Sequence, residues 1–495
     1  MLALTLRLWG LAFGLPYIIQ PDEPSVEDRA LAMWLEGTAN PHYFIYPSLY
    51  YDMQALWAFV VGHVAGVVSP DVLRHPLSHR PFYYLAGRLL TAVVGTATVY
   101  VVYLTGRLFS ARIGLLAALF LAVAAQHVEQ SHYITVDATT GLFTILSAYF
   151  ALRALRDSSS RPVLWGSVAA GLAAGVKYNA ALALVLPVLA VGLQEGRSWR
   201  SRLKLAAGAT LLCGATFLLT TPYAILDYTS FIRDLHTISL HYSSGHPGAE
   251  GGGNALWYLG YLFDHGAGPG GTILALAGLA ALVSARKAVS GGDQRNGVVV
   301  LVFVVAYYVL LCSTYVRFDR NLLPLSPFIA LLTAVAAVAL IPALARLLRN
   351  YTVAGALVLT VAVVPSAYTT ARDDFTFTHQ FSEEAAVAWA DAHWPHGVAV
   401  AIENWEGKVF TASSHGYNVT LLNSLASEPY DWLRAHVRYA VADSWTDGAY
   451  LSAPAHYPLQ AARYKEFYQR ARLLQIITPD PVERPGPEMR LYEVR

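Results

Sequence analysis

The amino-acid sequence predicts a polytopic α-helical membrane protein, with about eleven transmembrane helices followed by an extracytoplasmic α/β domain. Three observations carry that expectation. Charged residues make up 14% of the 495-residue chain and hydrophobic residues 55%, against about 25% charged in an average soluble protein; mean hydropathy is +0.41. Lys and Arg gather in clusters between apolar runs, at every second connection. After Arg372 the long apolar runs stop and short alternating segments begin.

A helix needs about 20 apolar residues to cross the hydrocarbon core, fewer where interfacial groups cap it. Runs of that kind cover residues 2–19, 84–104, 112–127, 135–153, 163–178, 180–194, 205–221, 271–285, 297–313, 323–343 and 351–371. With the N-terminus inside and strict alternation, the basic clusters all become cytoplasmic, as the positive-inside rule asks. These are Arg107 and Arg112; Arg153, Arg156 and Arg161; Arg197, Arg200, Arg202 and Lys204; Arg286, Lys287 and Arg295; Arg346 and Arg349. The first loop (20–83), the 127–134 turn, the 222–270 and 314–322 loops and the tail then lie outside. The apolar stretch 53–68 would invert this pattern if it crossed, so it is expected as a re-entrant or interfacial helix. A similar short amphipathic piece covers Leu256 to Phe263. Residues 2–19 lack a small-residue cleavage site before Pro21 and are read as an uncleaved first helix.

Residues 1–371 thus form the membrane domain and 372–495 the soluble one. In the tail, Ser382-Glu383-Glu384 opens a helix with an acidic first turn, stopped by Pro395 and Gly397. Strand patterns follow at 397–403, 418–423, 437–442, 473–478 and 488–494, with helices near 427–435 and 458–472. The tail has no glycine-rich nucleotide fingerprint. A net charge of +1 offers nucleic acid no general attraction. Cys213 and Cys312 lie in apolar runs and read as small buried hydrophobes.

Charges at the outer mouth of a membrane bundle are costly, so they mark candidate sites. Asp22 and Glu23 follow the first apolar run directly. Pro21 and Pro24 flank them and are expected to hold the backbone out of helix, presenting both carboxylates at the membrane surface. A solvated acidic loop is the plain alternative. His132 and Asp137 stand at the outer end of the 135–153 run, where a carboxylate could also serve the helix dipole. Lys177 lies between two runs with almost no room for a loop; it either snorkels to the interface or meets an anion. Arg317, Asp319 and Arg320 fill a short outer loop against the positive-inside rule, and two arginines there suit a phosphate. Arg88 begins its span on the same side. Carboxylates can deprotonate an acceptor hydroxyl, and cations can stabilise a departing phosphate.

At these residues the sequence resembles the GT-C superfamily, in the branch of protein O-mannosyltransferases and the aminoarabinose transferase of lipid A. The resemblance runs in chain order through Pro21-Asp22-Glu23-Pro24, Asn40-Pro41, Tyr46-Pro47-Ser48-Leu49, Ala86-Gly87-Arg88-Leu89 and Ser131-His132-Tyr133 with Asp137. It continues through Gly171 to Lys177, His241 to His246-Pro247-Gly248, and Arg320-Asn321-Leu322-Leu323-Pro324. It implies a GT-C fold, a polyprenyl-phosphate-linked sugar donor, an extracytoplasmic acceptor and inversion at the anomeric carbon. It makes Asp22 the candidate base, with Glu23 in support, and Asp137 the second acidic position. Lys177, Arg317 and Arg320 become candidate lipid-phosphate contacts, with His132 and Arg88 beside them. A divalent ion held by Asp22 and Asp137 is left open. Tyr46-Pro47 stands where aminoarabinose transferases carry Lys-Pro, and the tail is unlike a β-trefoil. The rival class is a transporter or flippase of a lipid-linked or anionic substrate, which would favour midplane charges and related halves. Neither is visible here.

Overall fold

The computed structural model describes residues 1–67, 76–244, 246–249, 253–284, 294–403 and 407–495. Val68, Ala285, Arg286 and Lys287, which entered the topology argument, lie outside them. Among the described residues six helices are long and apolar enough to cross a bilayer: Arg80–Arg107, Val136–Asp157, Trp199–Thr220, Gln294–Ser313, Asp319–Leu348 and Tyr351–Thr376. Shorter apolar helices cover Ala111–Ala122, Tyr178–Leu193 and Gly268–Leu282, and Ser160–Val176 forms another. Each falls on an expected run. Capping explains several starts: Ser110, Ser198 and Asn350 accept from backbone N–H groups of the first turn at 3.1, 3.3 and 3.1 Å.

The first run differs from expectation. Only Leu2–Leu8 is helical, about 10 Å of rise and too short to cross as a helix. Gly10 and Gly14 adopt φ of +80° and +67° and turn the chain. A Cβ at Gly10 would sit 2.6 Å from the Phe377 Cβ, so a glycine lets this segment dock on the end of the last membrane helix. Inside the bundle, a Cβ on Gly106 would meet the Gly114 Cα at 2.7 Å. The helices on either side of that hairpin pack backbone to backbone, as small residues permit in a membrane.

The basic loops meet at one end of the bundle. Arg107, Arg153 and Arg156 line one recess, Arg197 donates to the Ser160 hydroxyl at 2.8 Å, and Arg295 pairs with Glu195 at 3.1 Å. Asp137 starts the helix whose far end carries Arg156, so about 30 Å separates the acidic positions from this basic end. In the first loop, Leu49–Val64 is helical where the interfacial helix was expected. It packs on a helix at Glu23–Glu36 that the sequence reading did not foresee. Asn254–Tyr261 forms the other short helix.

The last membrane helix continues past the expected boundary at 371 to Thr376. Beyond it, strands β1 (Ala399–Glu403), β2 (Asn418–Leu422), β3 (Tyr439–Asp443), β4 (Arg472–Ile477) and β5 (Met489–Glu493) form one sheet in the order β2-β1-β3-β5-β4. β1 runs parallel to β2 and β3, while β5 is antiparallel to both its neighbours. Side-chain alternation splits the core: Val400, Ile402 and Val441 face the helix Ser382–His393, and Ala401, Ala440 and Ala442 face the helices Tyr430–His436 and Pro458–Arg470. Both faces are covered, as a sheet with parallel strands requires.

Among the described residues of this domain four carboxylates are buried, those of Glu383, Glu403, Asp443 and Asp447. Glu403 accepts from the Leu425 and Asp443 N–H groups at 2.9 Å each and from the Tyr464 hydroxyl. Glu383 accepts from the Ser382 hydroxyl at 3.0 Å, while its other oxygen lacks a partner. Burial, and then the Asp443 charge, hold Glu383 above the usual carboxylate range. A raised folded-state value means that folding retains a proton the unfolded chain loses near 4.5. Glu383 therefore contributes stability below that pH, and the contribution is lost as pH rises through the raised value. Glu383→Gln should flatten the fall between pH 4.5 and 8 and raise the neutral-pH unfolding midpoint by about 4 °C or more. Tryptophan fluorescence melts of the full chain check this; parallel pH curves for both proteins would remove Glu383 as the cause.

Candidate active site

At the end of the bundle away from the basic loops lies a cavity of about 1080 Å³. One wall is a face of the helix Glu23–Glu36, with Asp22, Ser25, Asp28, Arg29 and Ala32 on the cavity at helical spacing. Pro24 sits in the first turn of this helix. The prolines thus start a helix rather than prevent one, because a first-turn position needs no N–H donor. The Gln20 side chain accepts from the Asp22 and Glu23 N–H groups at 2.6 and 2.9 Å. It does the capping, and the Asp22 carboxylate makes no cap bond. Asp22 instead pairs with Arg320 at 3.0 Å, both partly exposed.

Neighbouring positions on a helix point about 100° apart, and that separates Asp22 from Glu23. Glu23 is fully buried and forms a two-pronged pair with Arg88 at 2.8 and 2.7 Å. One of its oxygens also accepts from the Ile134 N–H at 3.1 Å. Arg88 donates to the Leu11 and Phe13 carbonyls at 3.1 and 2.7 Å and lies 3.7 Å from the Phe13 ring centroid. Neither lines the cavity. The expectation that both acidic side chains face the surface is corrected on this point: one faces the cavity, the other locks the loop helix to the bundle.

Lys177 ends the helix Ser160–Val176 and lines the cavity. Its ammonium donates to Asp137 at 2.7 Å and to the Asn321 amide oxygen at 2.8 Å. Asp137 is buried behind it and holds it in place. Arg320 and Asn321 come from the 3-10 turn Asp319–Leu325. That turn is fixed by Gln126, which donates to the Asp319 carbonyl at 2.6 Å, and by the Tyr261 hydroxyl, which donates to the Asp319 carboxylate at 3.1 Å. Two further residues named from sequence lie elsewhere. Buried His132 contacts the Trp9 carbonyl at 3.0 Å and Asp374 at 3.7 Å; Arg317 stacks over Trp257 at 5.2 Å. Neither is on the cavity wall.

Sequence reasoning left out of the site Asn321, Tyr46, Arg29, Asp28 and the aromatic group His241, Tyr242 and Phe318, all on the wall. Asn321, Tyr46 and His241 sat inside recognised motif strings, which was the available signal. Asp234 accepts from the Phe44 N–H at 2.8 Å and the Tyr178 hydroxyl donates to the Phe44 carbonyl at 2.8 Å, which places the Tyr43–Tyr46 segment. Burial keeps the Tyr46 phenol well above its ordinary range, so it stays an O–H donor. As for a divalent ion, Asp22 and Asp137 each already face a cation. Among the described residues no group of three His, Cys, Asp or Glu could hold a metal. The residues present do not fit one.

Removing one partner of a buried ion pair strands the other charge, at about 3–5 kcal/mol. Glu23→Gln and Arg88→Gln should each be strongly destabilising, and the double variant should cost less than their sum by about 1–3 kcal/mol. Unfolding of the four proteins in detergent measures the coupling; strictly additive effects would dissolve the pair as an anchor.

Residues 82–220 match the family model described as dolichyl-phosphate-mannose-protein mannosyltransferase. No curated protein matches the sequence. Among solved structures, ArnT from Cupriavidus metallidurans in the apo state superposes with a TM-score of 0.58 at 15% identity, over 99% of this chain and 96% of that one. The same protein bound to undecaprenyl phosphate gives 0.56 at 15% identity, with the same coverage. At this identity the likeness establishes the fold, and it spans the C-terminal sheet domain as well as the bundle. The chain has the GT-C fold, and over residues 82–220 it is similar to the dolichyl-phosphate-mannose-protein mannosyltransferase family.

Proposed function

We propose that the chain is an inverting glycosyltransferase that moves a sugar from a polyprenyl-phosphate carrier to an extracytoplasmic acceptor, with Asp22 as general base. The observation that carries this reading is the meeting of Asp22, Arg320 and Lys177 on one cavity wall of a GT-C fold. A solved structure of similar fold is described as bound to undecaprenyl phosphate, which supports the donor class. The basic loops at the opposite end of the bundle support an outward-facing cavity.

In the proposed step, the acceptor hydroxyl oxygen bonds to the anomeric carbon from the face opposite the phosphate. The bond from that carbon to the phosphate oxygen breaks, and the carrier leaves with the electron pair as polyprenyl phosphate. The hydroxyl proton passes to Asp22. Arg320 and Lys177 counter the charge growing on the leaving phosphate, in a site whose donors are already aimed. Asp137 and Asn321 hold Lys177 in register for this, and the Tyr46 hydroxyl is a further donor on the same wall.

Asp22→Asn should lower sugar transfer about 100-fold or more without weakening undecaprenyl phosphate binding. Wild-type turnover by that variant, assayed by mass spectrometry of lipid-linked sugars and glycans, would sink the assignment of the base. The double variant Lys177→Gln/Asp137→Asn removes both charges of a buried pair and so spares the fold. It should weaken undecaprenyl phosphate binding about tenfold or more; unchanged affinity would remove Lys177 from the donor site.

A further inference from the structure

The cavity wall carries three cations, and they are not equivalent. Arg320 pairs with Asp22 at 3.0 Å and Lys177 with Asp137 at 2.7 Å. Arg29 has no carboxylate within ion-pairing distance among the described residues. Its guanidinium lies 4.1 Å from the Tyr43 ring centroid and makes one long hydrogen bond, 3.4 Å, to the Pro41 carbonyl. The neighbouring Asp28 is engaged by Arg80 at 3.2 Å and by the Tyr84 hydroxyl at 2.9 Å, so it does not neutralise Arg29. An arginine set over an aromatic ring, with one long hydrogen bond and no paired carboxylate among the described residues, has N–H groups to offer a carboxylate or phosphate.

Position fixes which substrate would supply that anion. Asp22 and Arg29 are seven positions apart on one helix, hence on one face and about 10 Å apart along the axis. The cations proposed for the donor phosphate come from other elements, the ends at Lys177 and Arg320. We infer that the acceptor bears an anionic group, a carboxylate or phosphate, that docks on Arg29 about 10 Å along the helix from the hydroxyl receiving the sugar. This rests on the glycosyltransferase reading and adds the chemical class of its acceptor. It makes Arg29 a specificity-determining residue.

The test uses the full chain in nanodiscs, saturated with undecaprenyl phosphate, and saturation-transfer NMR with glucuronate, glucose 6-phosphate and glucose as probes. Glucuronate or glucose 6-phosphate should give a signal at least fivefold above glucose, and their ratio tells carboxylate from phosphate. Arg29→Gln should abolish that preference, Arg29→Lys should restore part of it, and both should bind undecaprenyl phosphate within twofold of wild type. Equal signals from charged and neutral sugars, or a preference that survives Arg29→Gln, would overturn the inference. So would a parallel loss of undecaprenyl phosphate affinity in Arg29→Gln, which would assign Arg29 to the donor. Because lipid binding is read separately, a wild-type chain that binds undecaprenyl phosphate but shows no anion preference overturns this inference alone and leaves the donor assignment standing.

Discussion

The buried pair between Arg88 and Glu23 governs the cavity end of this molecule. Two charges are out of water, and their mutual geometry, the bonds to Leu11, Phe13 and Ile134 and the Phe13 ring under Arg88 compensate them. The pair ties the start of a loop helix to a membrane helix 65 positions away in sequence. Once Glu23 is fixed inward, the turn geometry of the helix sends Asp22 the other way, into the cavity. Ser25, Arg29 and Ala32 then follow on the same face. A site on a surface loop gains in this way the rigidity of the bundle beneath it.

The electrostatic layout of the cavity is economical. Each cation proposed for the phosphate is held by an acid, and each acid has a separate duty. Asp137 is buried and holds Lys177; Asp22 is partly exposed on the cavity wall and holds Arg320. A transport path would ask for charges near the bilayer midplane and for related halves. Here the charged groups of the cavity collect at one end of the bundle, and a cluster of Phe13, Phe377 and Phe381 joins the first segment to the start of the C-terminal sheet domain.

Much of this was legible in the sequence. Alternation placed all five strands of the C-terminal sheet to within about two residues, because a sheet buried on both faces between short turns leaves a clear pattern. Apolar runs placed the membrane helices, and basic clusters sorted their ends. The first segment was misread because Gly10 and Gly14 sit inside an apolar run, and hydropathy does not register the turns they make. The helix at Glu23–Glu36 was missed because Pro24 reads as a breaker unless the start of the helix is already known. Adjacent Asp22 and Glu23 looked alike for the same reason: without the helix, nothing sends them apart. Arg29 had no signal of its own, since an exposed loop arginine and a cavity arginine are the same letter until Tyr43 and Pro41 fold against it.

The contact between Arg320 and Asp22 bears on the timing of a catalytic cycle. In the resting molecule, the group proposed to take a proton is occupied by the group proposed to hold the phosphate. An anionic donor competes for that arginine, and its arrival releases the carboxylate. Under the proposed reading the base becomes free only after the lipid carrier is seated, which gives the cycle a compulsory order of addition. An acceptor arriving early would meet a masked base, and a bound donor would wait beside an armed one.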